Sequence, residues 1–360
     1  MIYAPALDGI GKSLLNFLSS VDFSRTEIHL GLFKQDGPLL SLLPLDVVCH
    51  IVSGLDDNFP PPSKQVLQDS VQRKDWKTAL LVLFLLLHCK VDGSPRPYFR
   101  YLFRNVQIPS IRFDEAHAFH GPWQIIDYCV CEKIKAKTRF GWIHVDVSRM
   151  PIDKSLIKKL YKQYKSIFIV SKEAKSIFDI KFPQFKQKTQ VRIHRIDRNQ
   201  VDCLALKGPT FADDFTGKRI LTVGRIAPEK GQQDAILALS EIIRERKDIH
   251  WYFIGDGKDI ESCQALAKRL GVQNYLSFPG AVENPYRFMK DCDLYVQPSR
   301  HEGFCISLAE ALCFDVPIVA TPFTGAKEQL EGRPGTRVVG VNADTLSRGI
   351  LDLLSQQNER

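Results

Sequence analysis

Residues 219–231 read RILTVGRIAPEKG, and this stretch indicates the fold of the second half of the chain. A short apolar strand runs into a glycine-containing loop, and an amphipathic helix begins near Gln232. Strands that alternate with helices predict parallel β-sheets built from βαβ units. The same sequence of strand, loop and helix recurs downstream, where three further apolar segments are predicted strands: HWYFIG (250–255), YLSFPG (275–280) and DLYVQPS (293–299).

The first half of the chain shows the same alternation less cleanly. The periodic pattern lapses over 201–218, where Gly, Pro and Asp accumulate. We therefore expect two α/β domains, 1–200 and 219–360, joined by a linker over 201–218. The strands predicted in the first domain are EIHLGLF (27–33), DVVCHIV (46–52), FGWIHV (140–145), SIFIV (166–170) and QVRIH (190–194).

The composition is that of an ordinary globular protein, with 44% hydrophobic and 25% charged residues among 360. The most apolar run, ALLVLFLLL at 79–87, is too short to span a bilayer and predicts a buried helix. The nine cysteines lack disulfide or zinc spacing, which is typical of a reducing compartment. With no secretory signal at the N-terminus, we expect a cytoplasmic protein.

Positive charge is concentrated in the first half. Residues 1–200 contain 30 Lys and Arg against 19 Asp and Glu, a net +11, whereas the rest carries −3. This asymmetry indicates an anionic partner for the first half. Nucleic acid is disfavoured because no nucleic-acid motif accompanies the lysines. The helical segment 154–165 carries five lysines among apolar residues, which fits either a solvated face or peripheral binding to an anionic membrane on the inner face of the plasma membrane.

Arg225 and Lys230 place two cations on the loop that follows the strand RILT. Ligands of parallel sheets lie at the carboxyl ends of the strands. Two fixed cations beside a helix N-terminus suit a diphosphate. The alternative is a turn with two solvated charges, and this stretch alone does not decide between them.

The segment SRHEGFCISLAEAL (299–312) places Glu302 before a predicted helix and Glu310 inside it. Eight residues span roughly 12 Å along a helix, comparable to a diphosphate that joins two sugars. One carboxylate could hold hydroxyls of a transferred sugar and the other those of a ribose. The backbone N–H groups of Phe304 to Ser307 would favour an anion between them. The alternative is two ordinary helix glutamates.

Taken together, these motifs resemble the retaining family 4 (group 1) glycosyltransferases, especially those of bacterial surface-polysaccharide and lipopolysaccharide synthesis. The resemblance implies a GT-B fold, in which two Rossmann-like doubly wound parallel-sheet domains face each other across a cleft. It also implies transfer of a sugar from a nucleotide-sugar to a glycan or lipid-linked acceptor, with retention and without a metal. It rests on GRIAPEKG, IGDG (254–257), FPG (278–280), PSRHEGFCISLAEAL and PIVAT in the second half, and on GPWQIIDY (121–128) and GWIHVD (141–146) in the first.

The resemblance also implies roles for individual residues. Arg225 and Lys230 would hold the donor diphosphate and Glu310 the ribose. Glu302 and His144 would be the catalytic residues, with Glu302 in contact with the transferred sugar and His144 facing its reacting side. Gly9 and Lys12 would lie on the acceptor side. No cofactor is expected, and a UDP-sugar is favoured over a GDP-sugar as donor. The other expected donor-binding residues are Gly11, Gly255, Gly280, Gly303, Phe304, Cys305, Ile306 and Ser307.

Four alternatives remain open. The segment APALDGIGKS (4–13) matches a loose phosphate-loop pattern, but a strong preceding strand is missing, which disfavours an NTPase. Asp291 and Asp293 match an Asp-x-Asp pattern, yet their place at the start of a strand disfavours a metal site. A GT-B nucleotide-sugar epimerase would share the donor site, and a partner subunit without activity would share the fold.

Overall fold

The computed structural model describes residues 1, 8–34, 36–52, 63–108, 110–193 and 196–357. Contacts between Cα atoms divide the chain into two compact units. The first comprises Met1–Val170 with Lys175–Arg192, and the second comprises Ser171–Ala174 with Ile193–Arg360. The short segment at 171–174 therefore groups with the second unit although it opens a helix of the first.

The first unit contains helices and parallel strands in alternation, as the sequence predicts. Its helices and strands are, in chain order, α1 (Gly9–Leu18), β1 (Ile28–Leu32), β2 (Val47–Ile51), α2 (Ser63–Gln72), α3 (Trp76–Asp92), α4 (Arg96–Leu102), β3 (Arg112–Ala118), α5 (Gln124–Tyr128), β4 (Lys135–Ile143), α6 (Lys154–Tyr161), β5 (Ser166–Ile169), α7 (Lys172–Lys181) and β6 (Thr189–Val191).

The strands of the first unit form two parallel sheets, β1–β2 and β3–β4–β5–β6. Met1 extends the larger sheet, because its nitrogen donates to the His117 carbonyl at 2.7 Å and its carbonyl accepts from the Phe119 N–H at 3.1 Å. The sequence did not predict β3, whose charged residues obscure its period. Its buried positions are Ala116 and Ala118, and Phe119 after it packs on Trp142.

Two helices of the first unit differ from expectation in what they bury. The apolar run in α3 was expected to be buried, but Leu80, Phe84 and Leu87 are exposed. Helix α6 shows the reverse: Leu156, Ile157, Leu160, Tyr161 and the following Tyr164 are buried in the core. The apolar side chains of 154–165 therefore belong to the core, and peripheral binding of this segment to an anionic membrane through its lysines stays a prediction. In the part of the chain that the structure describes, no helix has the length and apolarity needed to cross a bilayer.

The second unit is a six-stranded parallel sheet with helices on both faces. The strand order is β12–β11–β10–β7–β8–β9. This is a doubly wound order: successive strands are added outward from β7 on one side and outward from β10 on the other, so the strand order reverses between β7 and β10. Its elements are α8 (Arg198–Ala205), β7 (Lys218–Val223), α9 (Gln232–Glu245), β8 (Ile249–Ile254), α10 (Ile260–Leu270), β9 (Leu276–Gly280), α11 (Tyr286–Asp291), β10 (Leu294–Gln297), α12 (Ile306–Ala311), β11 (Ile318–Ala320), α13 (Ala326–Leu330), β12 (Thr336–Val338) and α14 (Ala343–Gln357).

Alternating side chains of these strands build two cores, one on each face of the sheet. Ile220 and Trp251 pack under α9, α10 and α14, whereas the adjacent Leu221 and Tyr252 pack against α8, α11, α12 and α13. Because successive side chains of a strand point to opposite faces, strands covered on both sides are apolar throughout. Helix α8 begins at Arg198, so the segment expected as a linker starts within a helix whose Val201 and Ala205 are buried.

Candidate functional site

The candidate site lies at the carboxyl ends of the two central strands of the second unit. Strands β7 and β10 pair in parallel, with Leu294 opposite Ile220 and Tyr295 opposite Leu221. The loops that follow them, 224–231 and 298–305, begin where the strand order reverses. In open parallel sheets this reversal point is where ligands bind, because the adjacent loops diverge there.

Close backbone packing fixes these loops. Gly231 has φ +75°, and a Cβ there would lie 1.9 Å from the Pro298 carbonyl oxygen. Gly255 has φ +150°, and a Cβ there would lie 2.0 Å from the Gly224 carbonyl oxygen. The Glu229 carbonyl accepts from the N–H groups of residues 300 and 301 at 2.9 and 3.2 Å. The loops after β7, β8 and β10 therefore form one hydrogen-bonded layer.

We expect Gly231→Ala to destabilise the second unit more than Gly271→Ala does. Both glycines have φ near +70°, but nothing lies within 4 Å of a Cβ at Gly271. The alanine at 271 should cost roughly 1 kcal/mol of unfolding free energy from backbone strain, and that at 231 about 3 kcal/mol because the carbonyl must also move. Urea denaturation of both variants measures the difference, and equal losses would contradict the close approach of the two loops.

Lys230 and Glu302 meet across these loops. The Lys230 Nζ donates to Glu302 Oε1 at 2.6 Å, and the two side chains are only 20% and 10% exposed. Burial by itself would lower the pKa of Lys230, but the Glu302 carboxylate outweighs burial, so the pKa is raised. The lysine is therefore a fixed cation at the reversal point of the sheet. Its partner carboxylate lies at the end of the neighbouring strand.

A chain of buried polar groups orients Glu302 from behind. Ser299 Oγ donates to Glu302 Oε1 at 2.8 Å, and Gln297 Nε2 donates to Ser299 Oγ at 2.8 Å. Tyr295 OH donates to Gln297 Oε1 at 2.8 Å. Among the described residues no hydrogen bond reaches Glu302 Oε2, so that oxygen is available to a ligand hydroxyl. The sequence alone did not identify Ser299, Gln297 and Tyr295 as part of the site. The signal that could have identified them is their spacing of two residues along and just after β10, which places their side chains on the same face of the strand.

Arg225 is held differently from Lys230. Its guanidinium donates to Glu229 Oε1 at 2.7 Å, and the arginine side chain is 63% exposed. Its carbonyl accepts from Gln232 Nε2 at 3.0 Å, which fixes the backbone while the side chain stays at the surface. The two predicted cations are thus brought to one loop, one buried and one exposed. An exposed ion pair is weak, so separating Arg225 from Glu229 costs little free energy.

Glu310 lies inside α12 and is buried. Tyr286 OH donates to Glu310 Oε1 at 2.9 Å, and burial followed by the nearby carboxylate raises the pKa of Tyr286. Helix α12 begins at Ile306, later than the predicted start near Phe304, and has six residues. Cys305 precedes it with φ +66°, a conformation that costs a non-glycine residue about 1 kcal/mol or more. Burial raises the pKa of the Cys305 thiol to about 12, so it is neutral.

The remaining predicted donor residues lie in the same loop layer or next to it. The Gly303 carbonyl accepts from Ser171 Oγ at 3.0 Å, and the Phe304 carbonyl accepts from Gln329. Ser307 Oγ donates to Gln297 Oε1 at 3.3 Å, which links α12 to the polar chain behind Glu302. Gly280 ends β9 with φ +90°, and its carbonyl accepts from the Gly255 N–H at 2.9 Å.

Gly9 and Gly11, which the resemblance places near the acceptor and the donor, lie in the first turn of α1. Asp8 caps this helix, because its Oδ1 accepts from the N–H groups of Ile10 and Gly11 at 3.0 and 2.9 Å. Lys12 N–H donates to the Asp8 carbonyl at 2.9 Å. These N–H groups are therefore satisfied within the first turn of the helix, and the roles expected for Gly9, Gly11 and Lys12 stay predictions. The weak strand MIYA (1–4) that precedes the helix in the sequence lies, apart from Met1, outside the described residues.

His144 follows β4 directly, at the carboxyl end of the larger sheet of the first unit. It is buried, stacks on Trp142 with ring planes 6° apart, and its Nδ1 lies 3.5 Å from Ser13 Oγ of α1. His120, just after β3, was missed because that strand was not predicted. Burial lowers the pKa of His120 to about 4, so it is neutral at physiological pH. Two histidines therefore follow adjacent parallel strands of this unit.

Asp291 and Asp293 both have protein partners. Asp293 accepts from Lys218 Nζ and from the Arg219 N–H, each at 2.9 Å. Asp291 accepts from Thr210 Oγ1 at 2.8 Å. These bonds tie the start of β10 to the first residues of β7 and to the segment before it. Within the described ranges no group of three or more His, Cys, Asp or Glu side chains is arranged to hold a metal ion.

Residues 212–360 match the family model described as Glycosyl transferases group 1. The chain is 26% identical over 211 residues to the N-acetylgalactosamine-N,N'-diacetylbacillosaminyl-diphospho-undecaprenol 4-alpha-N-acetylgalactosaminyltransferase of Campylobacter jejuni, covering 58% of this chain and 56% of that protein. It is 32% identical over 147 residues to the GDP-mannose-dependent alpha-(1-6)-phosphatidylinositol monomannoside mannosyltransferase of Mycolicibacterium smegmatis, covering 38% of each. The matches thus span about half or less of these curated relatives.

Among solved structures, Anabaena HepE in complex with UDP-glucose is similar over 99% of this chain and 89% of its own. The TM-score is 0.70 at 16% sequence identity. A likeness at this identity concerns the fold alone. It extends through both units, and it confirms the GT-B fold class that the motifs predicted.

Proposed function

We propose that this chain, whose residues 212–360 match the model of the group 1 glycosyltransferases, transfers a sugar from a nucleotide-sugar donor to a glycan or lipid-linked acceptor. The observation that carries the proposal is the buried Lys230–Glu302 pair at the reversal point of the second unit. The names of the relatives support it, since the Campylobacter and Mycolicibacterium proteins are transferases whose named substrates are lipid-linked.

The donor diphosphate would lie along the loop 224–231. Lys230 offers a buried ammonium, and Arg225 would leave Glu229 to add a second, exposed cation that forms a two-pronged contact. Negative charge grows on the diphosphate as the bond to the sugar breaks. Fixed cations stabilise that charge without a metal ion, because they are already oriented before the reaction begins.

The sugar would lie next to Glu302 and the ribose next to Glu310. Glu302 Oε1 is occupied by Lys230 and Ser299, so Oε2 would accept a hydroxyl of the transferred sugar. Glu310 would accept ribose hydroxyls from its place in α12, where Tyr286 holds its Oε1. We further propose that transfer retains the anomeric configuration, that His144 faces the reacting side of the sugar, and that Gly9 and Lys12 belong to the acceptor side.

Thermal melting with nucleotides tests the donor site. We expect one nucleoside diphosphate among UDP, GDP and dTDP to stabilise the protein by roughly 2.7 kcal/mol at 100 times its dissociation constant, with or without EDTA. UDP is favoured because the Anabaena structure contains UDP-glucose, while the Mycolicibacterium relative is named for GDP-mannose. Stabilisation by ATP with magnesium alone would contradict the proposal.

Lys230→Gln is expected to weaken binding of that nucleotide about 10- to 100-fold, the value of a charge-assisted hydrogen bond. The matched control is Lys268→Gln, which removes an exposed cation from the last turn of α10 and should leave binding unchanged. Calorimetric titration of both variants measures the ratio. Equal affinities would remove Lys230 from the donor site.

A further inference from the structure

Helix α3 of the first unit presents an apolar face to solvent. The helix runs for 17 residues, and Ala79, Val82 and Leu85 on its other face are buried. It packs against α2 and α4. We call the exposed set the α3 stripe. Its members and exposed fractions are Trp76 61%, Leu80 67%, Leu83 46%, Phe84 63%, Leu87 57% and Val91 87%.

The spacing of the α3 stripe makes it one continuous surface. At about 100° per residue, its six side chains fall within an arc of about 100° around the helix axis. Over 17 residues the stripe is about 25 Å long. Scattered exposed leucines need no explanation, but six large apolar side chains on one arc form a contiguous patch that marks an interaction surface.

The charges around the stripe are positive. Lys77 and Lys90 lie at its two borders, and Arg73 and Lys74 are exposed just before the helix. The two acidic groups at the helix ends are engaged elsewhere. Asp75 accepts from the Thr78 N–H at 3.2 Å as the helix cap, and Asp92 Oδ2 accepts from Lys159 Nζ at 2.5 Å. The surface is therefore apolar in the middle and cationic at its margins.

We propose that the α3 stripe lies in the headgroup–acyl boundary of an anionic membrane, with the helix parallel to the bilayer plane. Leucine and phenylalanine would enter the acyl boundary, and Trp76 would sit at headgroup level, where indole rings are favoured. Lys77 and Lys90 are long enough to keep their ammonium groups at the anionic headgroups while their stems lie along the apolar face. This surface takes the place of 154–165, whose apolar side chains belong to the core.

A second copy of the chain fits the stripe less well. In a two-fold dimer the same surface meets itself, so the cationic margins of one stripe would face those of the other. Like charges at the edge of an apolar contact oppose association. An anionic bilayer instead supplies both the apolar interior and the countercharge, which matches the two properties of this face.

Flotation with lipid vesicles tests the proposal on the full chain. The probes are phosphatidylcholine vesicles with and without about 30% phosphatidylglycerol. We expect the wild-type chain to float with the anionic vesicles, and Leu80→Gln/Phe84→Gln to reduce the bound fraction at least about tenfold. The control is Ile180→Gln, which removes an apolar side chain that is 79% exposed on α7 and should leave flotation unchanged. Lys77→Gln/Lys90→Gln should weaken only the preference for anionic vesicles.

Several results would overturn the proposal. They are absence of the wild-type chain from anionic vesicles, equal flotation of the Leu80/Phe84 variant, or a dimer in sedimentation that this variant converts to monomer without any effect of lipid. The melting temperature shows whether each variant is folded, and an exposed substitution should leave it unchanged. Flotation requires no sugar transfer, so its outcome is independent of the proposed enzymatic function.

Discussion

Replacing Glu302 by glutamine should lower the rate of sugar transfer about 100- to 1,000-fold, the loss typical of removing one fixed charge from a reacting centre. Glutamine keeps the size of the side chain and its hydrogen-bonding capacity towards Ser299 and Lys230. Under the proposed function, it removes the negative charge that would lie next to the sugar, where positive charge would develop as the diphosphate leaves. The measurement is release of nucleoside diphosphate from the donor that the melting panel selects, with a lipid-linked or glycan acceptor present.

The same variant should change how nucleotide binding depends on pH. Burial lowers the pKa of Lys230, and the Glu302 carboxylate is what raises it above its usual value. Without that carboxylate the lowering by burial prevails, so Lys230 loses its proton at a lower pH than in the wild type. As the pH rises, affinity for the diphosphate should then begin to fall at a lower pH in the variant than in the wild type.

The control for both measurements is Glu261→Gln, an exposed glutamate in the first turn of α10. It changes the net charge equally and should affect neither transfer nor pH dependence. Unchanged transfer in the Glu302 variant would favour the partner-subunit alternative, in which this chain keeps the fold without performing the reaction. Conversion of the nucleotide-sugar with no acceptor present would favour the epimerase.

The second unit was predictable because its local signals agree with its tertiary structure. Strands such as β8 are covered on both faces and therefore read as unbroken apolar runs, and β7, β8 and β9 end at or directly before a glycine. Lys230 and Glu302 could be placed at one edge because the carboxyl ends of parallel strands share it. Their direct pairing could not be read from the sequence. It depends on the approach of Gly231 to the Pro298 carbonyl, a contact between loops that are far apart in sequence.

The first unit shows where sequence patterns fail. Gly9 and Gly11 fit a turn as well as a helix, and the Asp8 cap decided for the helix. The run at 79–87 is apolar on every side, so its period does not tell which face is buried. The amphipathic α6 had a clear apolar face, but the same pattern fits a core and a membrane surface. In each of these segments, contacts with residues distant in sequence determine which conformation forms and which face is buried.

Stability of the first unit should fall as the pH rises through the range in which Asp127 titrates. Asp127 of α5 is fully buried and accepts from Tyr164 OH at 2.5 Å and from Tyr161 OH at 3.2 Å. Burial raises its pKa from 3.8 to about 7, and the two hydroxyls oppose this only in part. Below pH 3.8 both the folded and the unfolded chain hold the proton, so the contribution of this group to stability is then fully present.

Above pH 3.8 the unfolded chain releases the proton first, and the contribution is lost as the pH rises to about 7, a difference of about 4 kcal/mol in unfolding free energy. Asp127→Asn stays neutral, so its stability relative to the wild type should increase by up to that amount between about pH 4.5 and 8. Urea denaturation of both proteins across this range measures the difference in unfolding free energy. The contributions of the other carboxylates are the same in the two proteins and cancel in that difference. Asp114→Asn is the control of opposite sign, because the Lys137 hydrogen bond lowers the pKa of Asp114. A difference between wild type and Asp127→Asn that does not vary with pH would mean that Asp127 is ionised in the folded protein.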